Sequence, residues 1–148
     1  MTTILRPDIL VQSPAGAPLA IVEIQNIREL TQEVASEIYH TRMGYGYGLQ
    51  VPYFFLLTQD HGYLWATQAP LADLPYEFPL RNVVARYLPN LRPGERLRGP
   101  ELSLIMEQWL NDLALGWQTA EEEPELILAR LGFLAAIDHA TLRVESRE

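Results

Sequence analysis

The first half of the chain sets short apolar blocks against turn residues, and one longer stretch has apolar positions four residues apart. Residues 4 to 12 and 19 to 25 are apolar-rich and are separated by Ser13-Pro14-Ala15-Gly16-Ala17-Pro18, which predicts an antiparallel hairpin around a Pro/Gly turn. Strand side chains alternate between faces, so Ile21, Glu23 and Gln25 share one face and Val22 and Ile24 the other. Asn26, with Glu29 three residues on, predicts a capped start to a helix over 28–43. Leu30, Val34 and Ile38, widened by Ala35 and Tyr39, give that helix an apolar stripe to lay on a sheet. Val51 to Thr58 and Tyr63 to Thr67 flank Asp60-His61-Gly62 and predict a second hairpin.

Beyond residue 68 the pattern changes. Residues 69–100 carry Pro70, Pro75, Pro79, Pro89, Pro93 and Pro100 and read as an irregular excursion with one short helix over Leu80 to Tyr87. Leu102, Ile105, Met106, Trp109, Leu110 and Leu113 then follow the helical template, predicting a helix over 101–117. Pro124, placed after Glu121-Glu122-Glu123, opens a last helix over 124–138, and residues 140–145 suit a short edge strand. The expectation is one α/β domain over 1–148, with a mixed four- or five-stranded sheet flanked by helices. Residues 1–68 form its core, 69–100 the excursion and 101–148 the C-terminal helices.

The first hairpin carries chemistry. With the turn centred on Ala15-Gly16, facing residue numbers sum to 31, so Asp8 falls opposite Glu23 with Cβ atoms about 5 Å apart. Two carboxylates so placed repel, and a hard divalent cation such as Mg²⁺ relieves the conflict because it takes one or two carboxylates together with waters and phosphate oxygens.

Pro7-Asp8, a turn and Glu23-x-Gln25, followed by a helix, Phe54-Phe55-Leu56-Leu57 and Tyr63-Leu64-Trp65, resemble the PD-(D/E)XK nuclease superfamily and in particular its small bacterial members. The likeness spans residues 4 to 68. It implies a restriction endonuclease-like fold and a metal-dependent phosphodiesterase acting on DNA, with Asp8, Glu23 and Gln25 as catalytic residues. Asp8, Glu23 and the Ile24 carbonyl would bind Mg²⁺ or Mn²⁺. Two departures stand out. Gln25 occupies the place where the family usually has lysine, and the chain has no lysine at all, its eleven basic residues all being arginine. The family also commonly has a helix ahead of the Pro-Asp strand, whereas six residues precede Pro7 here. A neutral amide can orient a water but cannot set a positive charge against the phosphorus. Arg28 or Arg42 could substitute electrostatically, though an arginine cannot serve as a base. Two rival functions follow: a catalytically silent scaffold that binds a protein partner or nucleic acid, and a structural subunit that self-associates, as a homodimer, through its C-terminal helices.

Charge sharpens the picture. The net charge of -8 disfavours non-specific nucleic-acid binding, but it is unevenly spread: residues 1–77 sum to -5, residues 78–100 to +4 and residues 101–148 to -7. Arg81, Arg86, Arg92, Arg96 and Arg98 make the middle segment a candidate nucleic-acid-binding surface, or else the partner of the acidic C-terminal helices. Absence of cysteine excludes disulfides, thiolate metal sites and cysteine nucleophiles and suits a cytoplasmic protein. The first twelve residues lack a signal-peptide pattern, and no apolar run approaches the ~20 residues that span a bilayer, so a soluble chain without a membrane partner is expected. His40, His61 and His139 stand singly, without zinc spacing or a serine-hydrolase constellation. Gly44 to Gly48 closes a helix instead of opening one, unlike a phosphate-binding loop. Tyr45 and Tyr47 within it would cover a sheet edge or stack on bases.

Overall fold

A computed structural model describes residues 7–45, 51–67, 74–117 and 121–144. Strands β1 (Ile9–Gln12) and β2 (Pro18–Ile24) form the first hairpin, and helix α1 (Gln32–Tyr45) leads to β3 (Tyr53–Leu57) and β4 (His61–Ala66). Strand β5 (Tyr76–Pro79), helices α2 (Arg81–Tyr87), α3 (Gly99–Ala114), α4 (Glu125–Arg130) and α5 (Phe133–Ile137), and strand β6 (Thr141–Val144) complete the order. The chain is α/β. Its sheet runs β5-β4-β3-β2-β1-β6. β2 and β3 are parallel, joined through α1, and every other pair is antiparallel.

Helices cover both faces of the sheet. α1 packs Ala35 and Tyr39 on Ile21, Phe54, Leu56, Tyr63 and Trp65, with the Tyr39 ring stacked on Trp65 at a centroid distance of 4.5 Å. The opposite face, bearing Val11, Val22, Phe55 and Leu64, takes the apolar sides of α2 to α5. In α3, Leu102, Ile105, Met106, Trp109, Leu110 and Leu113 are all buried, the six positions that the helical template selects.

Several expectations shift. Among the described residues the sheet has six strands instead of four or five, because Tyr76–Pro79, preceded by Pro75 and ending in Pro79, pairs with β4 although its prolines make it read as irregular. Asn26 does not cap α1. The chain passes through Glu29 at a φ of 62° and the helix begins at Gln32, with the Thr31 hydroxyl accepting from the Val34 amide at 3.2 Å. α3 stops at Ala114 because Gly116 turns left-handed at φ 72°, and the Trp117 amide bonds back to the Asp112 carbonyl. The single last helix expected over 124–138 is two, broken where Gly132 takes φ 82°. The first strand's residues 4–6 and most of the Gly44 to Gly48 segment, Tyr47 included, lie outside the described residues.

Candidate cation site and the adjoining arginine cleft

The register of the first hairpin follows the expected frame. Ile9 faces Val22, Leu10 faces Ile21 and Val11 faces Ala20, each pair summing to 31, before a bulge at Val11/Gln12 shifts Gln12 onto Pro18. The turn itself is held by the Ser13 amide donating to the Ala17 carbonyl and by the Ala17 amide donating to Ser13 Oγ. Asp8 lies one residue before β1, and continuing the ladder sets it across from Glu23. Its Oδ2 accepts from the Ile24 amide at 2.8 Å, extending the pairing with a side chain where the strand has ended.

Glu23 is 5 % exposed on the α1 face, beside Ile21 and across from Leu56 of β3. A carboxylate buried there needs positive charge close by. Ala35, Ile38, Tyr39 and Arg42 share the sheet-facing side of α1, and Arg42 Nε comes to 3.8 Å from Glu23 Oε1, a charge contact longer than a hydrogen bond. Of the two arginines considered as substitutes for a missing lysine, Arg42 comes near Glu23, and Arg28 lines the neighbouring cleft.

The Gln25 amide donates to the Leu57 carbonyl on the β3 side, so by strand alternation the amide and carbonyl of Ile24 both point to the β1 side, where Asp8 lies. The half-buried Gln25 side chain has no hydrogen bond among the described residues. Asp8, just before β1, and Glu23 and the Ile24 carbonyl of β2 are the oxygen donors that could hold a hard cation here. Among the described residues no group of three or more His, Cys, Asp or Glu gathers at one point. Two carboxylates and one carbonyl suit Mg²⁺ or Mn²⁺, which keep waters and phosphate oxygens in their remaining positions.

The middle arginines divide. Arg86 leaves the basic surface to bind Glu125 on α4, with Nη2 at 2.9 Å from both carboxylate oxygens. Arg98 closes the start of α3, donating from its backbone amide and Nε to Glu101, which holds the Glu101 carboxyl below its ordinary range. Arg81, Arg92 and Arg96 instead line a cleft of about 580 Å³, joined by Arg28 from the loop after β2. This cleft opens at the same sheet edge as Asp8 and Glu23, where β2 and β3 end and β4 begins.

One side chain absent from the sequence expectation, Gln59, helps to build the cleft, together with Asn26 and Asp60 in roles their sequence does not suggest. Gln59, 5 % exposed in the β3–β4 turn, accepts from the Leu97 amide at 2.9 Å and donates to the Glu95 carbonyl at 2.7 Å. Asn26 donates to the Leu97 carbonyl, so the loop ahead of α3 is tied to the sheet from two sides. Asp60 accepts from Arg96 Nη1 at 2.7 Å and lies 3.5 Å from Arg81 Nε. Burial pushes the Asp60 carboxyl up, but the Arg96 hydrogen bond and the charges of Arg96, Arg81 and His61 outweigh it and hold the group below its ordinary value. His40, His61 and His139 stay separate, His61 near Glu77 and His139 beside Asp138. No described helix is long and apolar enough to cross a membrane.

No family model, no curated protein and no solved structure matches this chain.

Proposed function

We propose that this chain is a divalent-cation-dependent phosphodiesterase of restriction endonuclease-like fold acting on DNA, with Asp8, Glu23 and the Ile24 carbonyl as the cation ligands. One observation carries the reading: Asp8, one residue before β1, accepts from the Ile24 amide next to Glu23 on β2, and β2 continues through α1 into the parallel β3. A bound Mg²⁺ or Mn²⁺ would polarise a phosphate oxygen and make a water more acidic. Asp8 is positioned by its bond to the Ile24 amide, and Glu23 by burial against α1. Gln25 can hold a water through its side-chain amide but brings no charge. Arg42 supplies a positive charge 3.8 Å from Glu23, and its guanidinium would turn from Glu23 toward a phosphate oxygen.

A second reading, a catalytically silent scaffold that binds nucleic acid or a protein partner, is favoured by two features. Gln25 is neutral, and an Asp8 oxygen serves the backbone of β2. Incubation of purified protein with supercoiled plasmid and Mg²⁺ or Mn²⁺ separates the two. The enzymatic reading predicts cation-dependent nicking that Asp8→Ala abolishes and Gln25→Lys enhances. Equal nicking by wild type and Asp8→Ala, or none by wild type and Gln25→Lys alike, favours the silent scaffold.

A further inference from the structure

We propose that the arginine cleft is a binding site for a compact phosphate monoester carrying a flat or apolar group, of mononucleotide size, separate from the carboxylate pair. The inference does not rest on the cation reading.

The cleft's volume of about 580 Å³ falls in the range of small-ligand sites. Its arginines are not equivalent. Arg96 gives Nη1 to Asp60 while its buried Nη2 has no partner among the described residues, and Arg81, 77 % exposed, reaches the same carboxylate only at 3.5 Å. The guanidinium groups of Arg28 and Arg92 have no ion pair or hydrogen bond among the described residues, and Arg92 is engaged only through its backbone, its amide donating to the Glu95 carboxylate and its carbonyl accepting from the Glu95 amide. Two uncommitted guanidiniums facing one cavity, with a third loosely held, are donors suited to the oxygens of a phosphate. Val84, Leu91 and Pro93 line the same cavity and give apolar surface against which a flat ring can lie.

The acids set the size of the ligand. Glu29 and Glu95 share the lining with the arginines, in a chain whose net charge is -8. A polyanion continuing past the cleft meets carboxylates and an acidic surface, whereas one terminal phosphate seated between Arg28 and Arg92 is spared most of that repulsion. The site is also built in advance: Gln59 and Asn26 hold the loop that carries Arg92 and Arg96 against the sheet.

Titration calorimetry of the full chain with adenosine monophosphate tests this. The expected result is saturable binding, tighter than that of inorganic phosphate or adenosine alone, weakened about tenfold or more in Arg28→Gln/Arg92→Gln. Those side chains make no internal bonds, so the double variant should melt at the wild-type temperature. Glu29→Gln should tighten binding, and Asp8→Ala should leave it unchanged. A shallow salt dependence, corresponding to one or two charges, is expected. The proposal is overturned by no saturation in the millimolar range, by undiminished binding in the double variant, or by a single-stranded oligonucleotide that displaces the monophosphate with a steep salt dependence.

Discussion

Replacing Arg86 by alanine should cost stability and leave phosphate binding untouched. The Glu125 side chain is 2 % exposed, and its oxygens accept two contacts from Arg86 Nη2 at 2.9 Å and one from Trp109 Nε1 at 2.8 Å. Removing one partner of a buried ion pair costs ~3–5 kcal/mol because the other charge stays buried. Arg86 is 34 % exposed, so water can enter the vacated volume and part of the cost is recovered. The expected loss is therefore about 3 kcal/mol, at the low end of that range. Against a typical stability of ~5–15 kcal/mol, it should lower a urea midpoint by roughly 1–2 M. Urea melts followed by tryptophan fluorescence at neutral pH read this directly. The pair Arg86→Met/Glu125→Gln keeps an acceptor for Trp109 and removes both charges, and should lie within ~1 kcal/mol of wild type. A loss under ~0.5 kcal/mol for Arg86→Ala, or a double variant as unstable as the single one, would refute the claim that a stranded carboxylate dominates.

Other outcomes follow from the same contacts. Tyr63 donates to the Leu30 carbonyl at 2.9 Å and to Glu77 at 3.3 Å; burial first, then the charge and hydrogen bond of Glu77, push its hydroxyl up to about 12. The folded state holds this proton above the unfolded value of ~10, so the stabilisation is complete below ~10 and is lost as pH rises toward about 12. Tyr63→Phe should flatten the alkaline fall in urea midpoint and cost about 1 kcal/mol at neutral pH. Asp60 shifts the other way: its stabilisation is present above the unfolded value of ~3.9 and disappears as pH falls through the lower folded value. Asp60→Asn should therefore be less stable at neutral pH and show a weaker acid slope, read by thermal melts across that window. A Cβ added to Gly62 would run into the Phe78 ring and come 3.1 Å from Leu57 Cδ2, so Gly62→Ala should cost about 1–3 kcal/mol and lower Tm by roughly 3–10 °C in calorimetry.

What the chain discloses before folding depends on how local the cause is. The register from Ile9 to Val11 is legible because a two-residue side-chain period and a Pro/Gly turn set it, and the bulge beside the turn leaves the strand interior in the expected frame. α3 is legible for the same reason at helical period. The start of α1 misleads: Asn26 is a good cap by type, but Leu97, 71 residues away, offers it a carbonyl, and Thr31 takes the capping role. Strand β5 hides because its pairing with β4, not its composition, makes it a strand. The arginines could not be sorted from sequence. Arg86 finds Glu125 and Arg96 finds Asp60 at separations of 39 and 36 residues, and a charge run looks identical whether its members are buried in pairs or open to a ligand. Gln59 carries no mark of its clamping role, since a glutamine in a turn reads as solvent-facing.

Everything proposed for the carboxylate pair reduces to whether it holds a divalent cation. Titration calorimetry of Mn²⁺ into the full chain, beside Asp8→Asn and Glu23→Gln, asks this with no turnover required. The account predicts saturable binding in wild type, abolished or weakened by about tenfold or more in each variant. Absence of saturable heat in wild type, or equal binding by all three proteins, would contradict it.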